Sequence, residues 1–315
     1  MNDKDTEIVI PFLVALVIAV AAISARGEPP AAGPSGPQIG TTLIYEIDKA
    51  AIEKDAAIGT KVVDVLNRRA NPGWWPAARV RRLNDGRIEV GVYGNDAEKA
   101  KTIERIADRT GTLEFRIVAT RHDDLPLIER GLAEPKSRAL KGPDGLLQAK
   151  WVRVDSKEEK AFTGNRELAT RAVKSGGLEV LVKVGPYDVG GEDLRRVAAG
   201  VDDATTTPCV NIQFSSRGAE LFGRLTTENL PTEGFHRQLG IILDGVVHSA
   251  PRINSAVYER AMITGNFTPQ EVDDIVAVLN AGSLPARIKL VEKRQSKDAG
   301  PAKGPADKQP PPKSE

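Results

Sequence analysis

The chain holds few residues that could do chemistry. Asp244, His248 and Ser249 come first, because they are the three side-chain types of a nucleophilic triad. A triad needs them to converge, the serine attacking while the imidazole takes its proton and the carboxylate orients the ring. The local pattern opposes convergence. Leu239 to Leu243 and Val246 to Ser249 read as strands around Asp244-Gly245, a tight-hairpin dipeptide, so Asp244 is a turn residue favouring positive φ. His248 and Ser249 are adjacent on a strand and point to opposite faces. Cys209 precedes a strand on its polar side, with no neighbouring His or basic cluster to activate it, and reads as a spectator thiol.

Metal chemistry fares no better. His122, Asp123 and Asp124 are consecutive residues in a charged stretch, which rarely close on one ion, and a solvated loop accounts for them. His236 has no partner at ligand spacing and reads as a surface histidine. Gly190 and Gly191 could open a helix that receives an anion, but Glu192 and Asp193 would repel it. The sequence therefore predicts no catalytic residue, no metal, no cofactor and no small-molecule substrate. Lys plus Arg (44) nearly balance Asp plus Glu (43), so no global field draws nucleic acid.

The elements around these residues are more informative. Thr42 to Ile47 reads as a strand, followed by a helix whose face carries Ile52, Ala56, Gly59, Val63 and Leu66. Ala78 to Leu83 and Arg87 to Tyr93 form a hairpin. A second helix starts at an Asn95 and Glu98 capping box and runs to a Gly111 C-cap. Thr112 to Val118 then completes a β-α-β-β-α-β order, which is ferredoxin-like. Residues 119–177 read as a charged, irregular insertion with one strand at Gln148 to Val154 and a polar helix around Glu167 to Lys174. A second lobe follows, with a strand at Leu178 to Val184, a short helix at Glu192 to Ala199, a strand at Cys209 to Phe214 and a helix capped by Ser215 or Ser216. Its last helix has Thr268 as N-cap, Pro269 at N1, Glu271 at N3 and Gly282 as C-cap.

Two terminal segments differ in character. Ile8 to Ala25 is uncharged and as a helix would measure about 27 Å, enough to span a bilayer core. Its acidic leading flank (Asp3, Asp5, Glu7) argues against a cleaved signal peptide. The expected membrane contact is one helix that buries Ile8, Phe12, Leu13, Leu16, Val17, Val20 and Ile23. Adjacent indoles cannot easily share one core, so Trp74 or Trp75 is a possible partner contact, against the plainer alternative of a loop folded over the lobe.

The second lobe carries, in order, VGGEDLRRV (Val189 to Val197), FSSRGAELFGRLT (Phe214 to Thr226), LGIILDGVVHSAPRI (Leu239 to Ile253) and ITGNFTPQEVDDIVAVLNAGSLPARI (Ile263 to Ile288). With these segments it resembles the periplasmic region of the SecD protein-export family. YEID (Tyr45 to Asp48), GRIEVGVYG (Gly86 to Gly94) and TGTLEFRIV (Thr110 to Val118) are similar to the family's first periplasmic segment. The family's Asp-Leu-Arg-Gly-Gly signature is replaced by GPQIGTT (Gly36 to Thr42). The resemblance implies an α+β base and head facing the periplasm from the bacterial cytoplasmic membrane. It further implies Sec translocon subunits or exported polypeptides as partners. No later apolar run is long enough to cross, so proton coupling is not expected from this chain.

The expected class is α+β: a ferredoxin-like base lobe plus a second α+β head lobe, preceded by one transmembrane helix. The expected divisions are an anchor at 1–26, a Pro/Gly linker at 27–40, the base at 41–118, the insertion at 119–177, the head and closing helix at 178–293 and a disordered tail at 294–315. The expected function is that of a non-enzymatic export accessory, and the alternative is a cell-envelope binding or scaffold module.

Overall fold

The computed structural model describes residues 38–73 and 76–296 of the 315. The chain divides into two units, Met1–Gly36 and Pro37–Glu315. The first lies outside the described residues, as do the expected anchor, most of the linker, Trp74, Trp75 and all but the start of the tail. Among the described residues no helix is long and apolar enough to cross a membrane.

The second unit opens with β1 (Ile39–Ile47), α1 (Lys49–Lys54), α2 (Ile58–Ala70), β2 (Ala78–Arg82), β3 (Ile88–Tyr93) and α3 (Ala97–Ala107). The single helix expected from Ile52 to Leu66 is broken at Asp55, whose carboxylate accepts from the Ala57 N–H. Asp side chains compete with helical hydrogen bonds in this way. Ile58, Val62, Val65 and Leu66 make the buried stripe of α2. Asp96, not Asn95, caps α3 through the Lys99 N–H, and the helix ends at Asp108 rather than Gly111.

The middle of the chain gives β4 (Leu113–Ile117), α4 (Arg121–Ala133), β5 (Ala139–Lys141), β6 (Leu147–Val154), α5 (Glu159–Gly164), β7 (Thr170–Ala172), β8 (Leu178–Lys183) and β9 (Val189–Gly190). After a 3-10 turn at Gly191–Asp193 come β10 (Leu194–Val201), β11 (Pro208–Phe214), α6 (Ser216–Thr227), β12 (Leu239–Leu243), β13 (Val246–Ser249), β14 (Arg260–Ile263), α7 (Pro269–Ala281) and β15 (Ile288–Gln295).

The described residues form three sheets. The base sheet is antiparallel in the order β15-β1-β3-β2, and the apolar faces of α2 and α3 cover one side of it. Its fourth strand is therefore β15 and not residues 112–118. Leu113–Ile117 pairs instead with β12 and β9 in the largest sheet, ordered β7-β8-β6-β13-β12-β4-β9 with β5 on β6. Leu113, Phe115 and Ile117 do share a face, but alternation fixes only which side of a strand is buried, not the sheet it joins. The third sheet is β10-β11-β14, and it encloses a core with β4, β12, α6 and α7 in which Phe115 meets Phe222 edge-on at 5.1 Å.

The stretch expected to be irregular is woven into the large sheet. β6 pairs with β5, β8 and β13, while Trp151 and Val152 are buried toward different clusters. The polar helix expected around Glu167 to Lys174 is β7, where Arg171 lies 4.4 Å over the Trp151 ring and reaches the buried Glu179 carboxylate at 2.8 Å. The helix expected from Glu192 to Ala199 is β10: pairing with β11 supplies the backbone partners a helix would have supplied, and Val197 turns inward.

Candidate functional site

Among the described residues, two stretches of chain join the base sheet to the other two sheets. One leads from α3 into β4 and the other from α7 into β15, and Arg69 holds both. Its guanidinium donates to the carbonyls of Ile106 (2.9 Å), Ala107 (3.0 Å), Arg109 and Thr110 (3.4 Å) on the first, and of Gly282 (3.2 Å) on the second. Beside it the Arg68 Nε donates to the Ala281 carbonyl at 2.9 Å. Helix C-termini leave their last carbonyls unpaired and carry partial negative charge, so a cation there satisfies both demands. Burial pushes Arg69 down to about 10, against the pull of Asp244 and Asp108, and it remains charged at neutral pH.

The β12–β13 hairpin docks on the same crossing. Asp244 (φ 50°) and Gly245 (φ 78°) form the tight turn that the sequence predicts. The Asp244 Oδ1 accepts from the N–H of Gly111 (2.6 Å) and Thr112 (3.0 Å) and from the Thr110 hydroxyl (2.6 Å), while its own N–H donates to the Thr112 carbonyl (2.9 Å). Gly111 has φ +73°, and a Cβ there would stand 2.6 Å from an Arg69 nitrogen, so this position demands glycine.

Between this crossing, the hairpin and α7 lies a cleft of about 270 Å³. Leu243, Val246, Phe267, Ile275, Val278 and Leu279 supply its apolar lining. The rim carries Arg109, Asp155, Lys157, Glu158, Asp244, His248 and Glu271. Lys157 straps one wall to the other, donating to the Asn266 carbonyl (3.1 Å) and to Glu271 (2.9 and 3.1 Å). Glu271 closes the α7 capping box with Thr268, as the sequence predicts. The Thr268 backbone N–H, then Lys157, hold its carboxyl down at about 2. Burial lowers His248 below the usual imidazole range although Asp155, 3.2 Å away, pulls the other way. A second latch joins α3 to α7, where Arg105 donates to the buried Asp274 at 2.9 Å.

Most of the other singled-out residues do not converge on this cleft. His248 lines it, whereas Ser249 lines a separate cavity beside α5, and the Asp244 carboxylate faces backbone donors. Cys209 is fully buried rather than on a polar side, lying inside β11 opposite Gly200 of β10. Burial pushes its thiol up, with Asp202 and Asp203 adding to the effect. His122, Asp123 and Asp124 belong to the first turn of α4, not to a solvated loop, since Thr120 caps that helix. His122 stacks on Phe235 at 4.2 Å, Asp123 pairs with Arg237 at 2.7 Å and Asp124 pairs with Lys183 at 2.8 Å. His236 lines a small cavity near Arg252, and no metal-holding cluster occurs among the described residues. Gly190 and Gly191 open a 3-10 turn whose Asp193 accepts the Gly190 N–H at 3.1 Å. Sequence reasoning missed Arg69, although 62, 66 and 69 fall on one helical stripe, and it missed the Lys157 strap, which no local spacing encodes.

Residues 167–286 match the family model of the SecDF P1 head subdomain. The protein translocase subunit SecD of Syntrophobacter fumaroxidans is 38% identical over 263 residues, covering 83% of this chain and 42% of that protein. Its counterpart in Elusimicrobium minutum is 38% identical over 274 residues, covering 81% and 51% respectively. That of Aquifex aeolicus is 32% identical over 222 residues, covering 69% and 40%. The chain thus spans about half or less of the length of these relatives. Its fold is shared with SecDF in a super-membrane-facing form (TM-score 0.56, 23% identity, 85% of this chain and 32% of the other). It is also shared with a structure of SecDF described as a membrane component that enhances protein export (TM-score 0.52, 24% identity, 81% and 100%). On the head-subdomain match and the relatives together, the chain is similar to the SecD protein-export family over that family's periplasmic region.

Proposed function

We propose that the chain is a membrane-tethered accessory of protein export, acting from the periplasmic side of the bacterial cytoplasmic membrane by contact with translocating polypeptide or with a Sec complex. The observation that carries the reading is the match to the head subdomain over 167–286, which contains one wall and the whole apolar lining of the cleft. An apolar floor with a charged rim of both signs suits side chains of many sequences, as a factor that meets many substrates requires. In this reading β15-β1-β3-β2 with α2 and α3 is a ferredoxin-like base whose fourth strand arrives only after the head is complete. The segment with Ile8, Phe12, Leu13, Leu16, Val17, Val20 and Ile23 tethers it, and Trp74 and Trp75 offer a partner contact. No catalytic step is assigned.

The test is affinity purification of the tagged chain from envelope membranes, paired with secretion rates in a deletion strain. Translocon subunits or secretory precursors in the eluate, with slowed secretion on deletion, agree with the proposal. Envelope proteins without either, and unchanged secretion, would assign a scaffold role instead.

A further inference from the structure

The three-stranded sheet β10-β11-β14 ends on one side at β10, which among the described residues pairs only with β11. Along β10 the backbone groups alternate in direction. Asp202 donates inward to the Thr207 carbonyl, whereas Val197 turns outward, accepting from the Asn280 amide at 2.9 Å and donating to it at 3.2 Å. A primary amide donates and accepts as a peptide group does, so Asn280 of α7 imitates one residue of a neighbouring strand. Ala199 and Val201 share the parity of Val197 and present their N–H and C=O on the same open edge. Val201 lies opposite Pro208, which has no N–H to give it.

Natural edges are guarded by charge, by bulges or by covering groups. The first half of β10 has all three: Arg195 and Arg196, a register shift between Leu194 and Arg196, and Asn280 over Val197. The second half has none. Ala199 is exposed, Gly200 is small and Val201 is 61% exposed.

We infer that Ala199 to Val201 is a docking edge for an extended polypeptide, which adds there as a fourth strand to the β10 sheet. The inference rests on the proposed contact with translocating polypeptide and names a place for it. Backbone pairing gives affinity without demanding sequence. The free edge is only about 10 Å long at the rise of a strand. An edge that short cannot hold a second copy of the chain in a stable dimer, since lasting interfaces bury about 1,200 Å² or more. It does suit a weak, transient hold on a chain that must move on.

The experiment uses the full chain in membrane vesicles, with a photo-crosslinking residue at Val201 or, separately, at Asn266 on the cleft rim. The probe is a permanently unfolded polypeptide, reduced and carboxymethylated lactalbumin. Ala199→Pro removes the outward N–H while leaving every ladder bond to β11, because proline is tolerated on an edge strand whose N–H faces solvent. The expected result is a probe adduct at Val201 that falls at least about fivefold in the Ala199→Pro chain, while the Asn266 adduct is unchanged and so reports an intact fold. As a second variant, Val201→Pro should likewise remove an adduct from a crosslinker at Ala199. An adduct at Asn266 alone, a Val201 adduct insensitive to proline, or a Val201 adduct to a second copy of the chain would each overturn the docking edge. Absence of probe adducts at both positions would overturn the polypeptide contact itself.

Discussion

Replacing Arg69 with alanine asks whether one guanidinium holds the two chain crossings in register. The side chain is 2% exposed and donates to five carbonyls, so water cannot take its place without opening the junction. Each hydrogen bond from a charged donor contributes about 1.5–3 kcal/mol. These five share one donor group and oppose its own burial, which already lowers its affinity for the proton, so they do not add. Breaking a buried charge from its partners costs about 3–5 kcal/mol. At about 2–4 °C per kcal/mol for a domain of this size, the melting temperature falls by roughly 6–20 °C. Arg69→Lys keeps the charge but not the planar fork, and recovers only part of the loss. Thermal denaturation followed by circular dichroism measures the fall, and hydrogen exchange locates it. Protection should drop first at 106–112 and 280–284. A melting temperature within about 2 °C of the parent for Arg69→Ala, or uniform loss of protection, would show that Arg69 does not hold the two crossings together.

Other outcomes follow from the same geometry. Gly111→Ala places a side chain at φ +73° against Arg69, costing at least about 1–2 kcal/mol from backbone strain alone, read as a lower urea midpoint. Glu271 is held well below its unfolded value, so its contribution is present above about pH 4.5 and is lost as pH falls toward about 2. Glu271→Gln should therefore flatten the acid limb of melting temperature against pH between those values. The carboxylate is partly solvated, so the limb is shallow. Cys209 should react with iodoacetamide at pH 8 only at the rate of unfolding, and rapid labelling of the native chain would contradict its burial.

What the sequence discloses and what it hides divide along range of interaction. The α7 start, with Thr268, Pro269 and Glu271, and the Asp244-Gly245 hairpin are legible because local backbone chemistry decides them. The fourth base strand is not, because β15 reaches β1 only after the whole head intervenes, and a period of two names no partner. β10 looks helical because Glu192 and Asp193 follow two glycines like a helix start; the pairing that makes it a strand is a nearby hairpin with β11, and only the Asn280 contact at Val197 is distant along the chain. The cleft is hidden for the same reason: Lys157 and Glu271 meet only through the fold. Arg69 was within reach, since a charged residue on the apolar stripe of α2 signals a buried cation with partners to find.

The claim that this region contacts polypeptide in export is tested most directly by photo-crosslinking at Asn266 in growing cells, with newly made proteins pulse-labelled. Adducts to secretory precursors are expected within the pulse and should chase away as export completes. No precursor adduct at normal expression, or adducts that persist unchanged when translocation is blocked before the pulse, would contradict it.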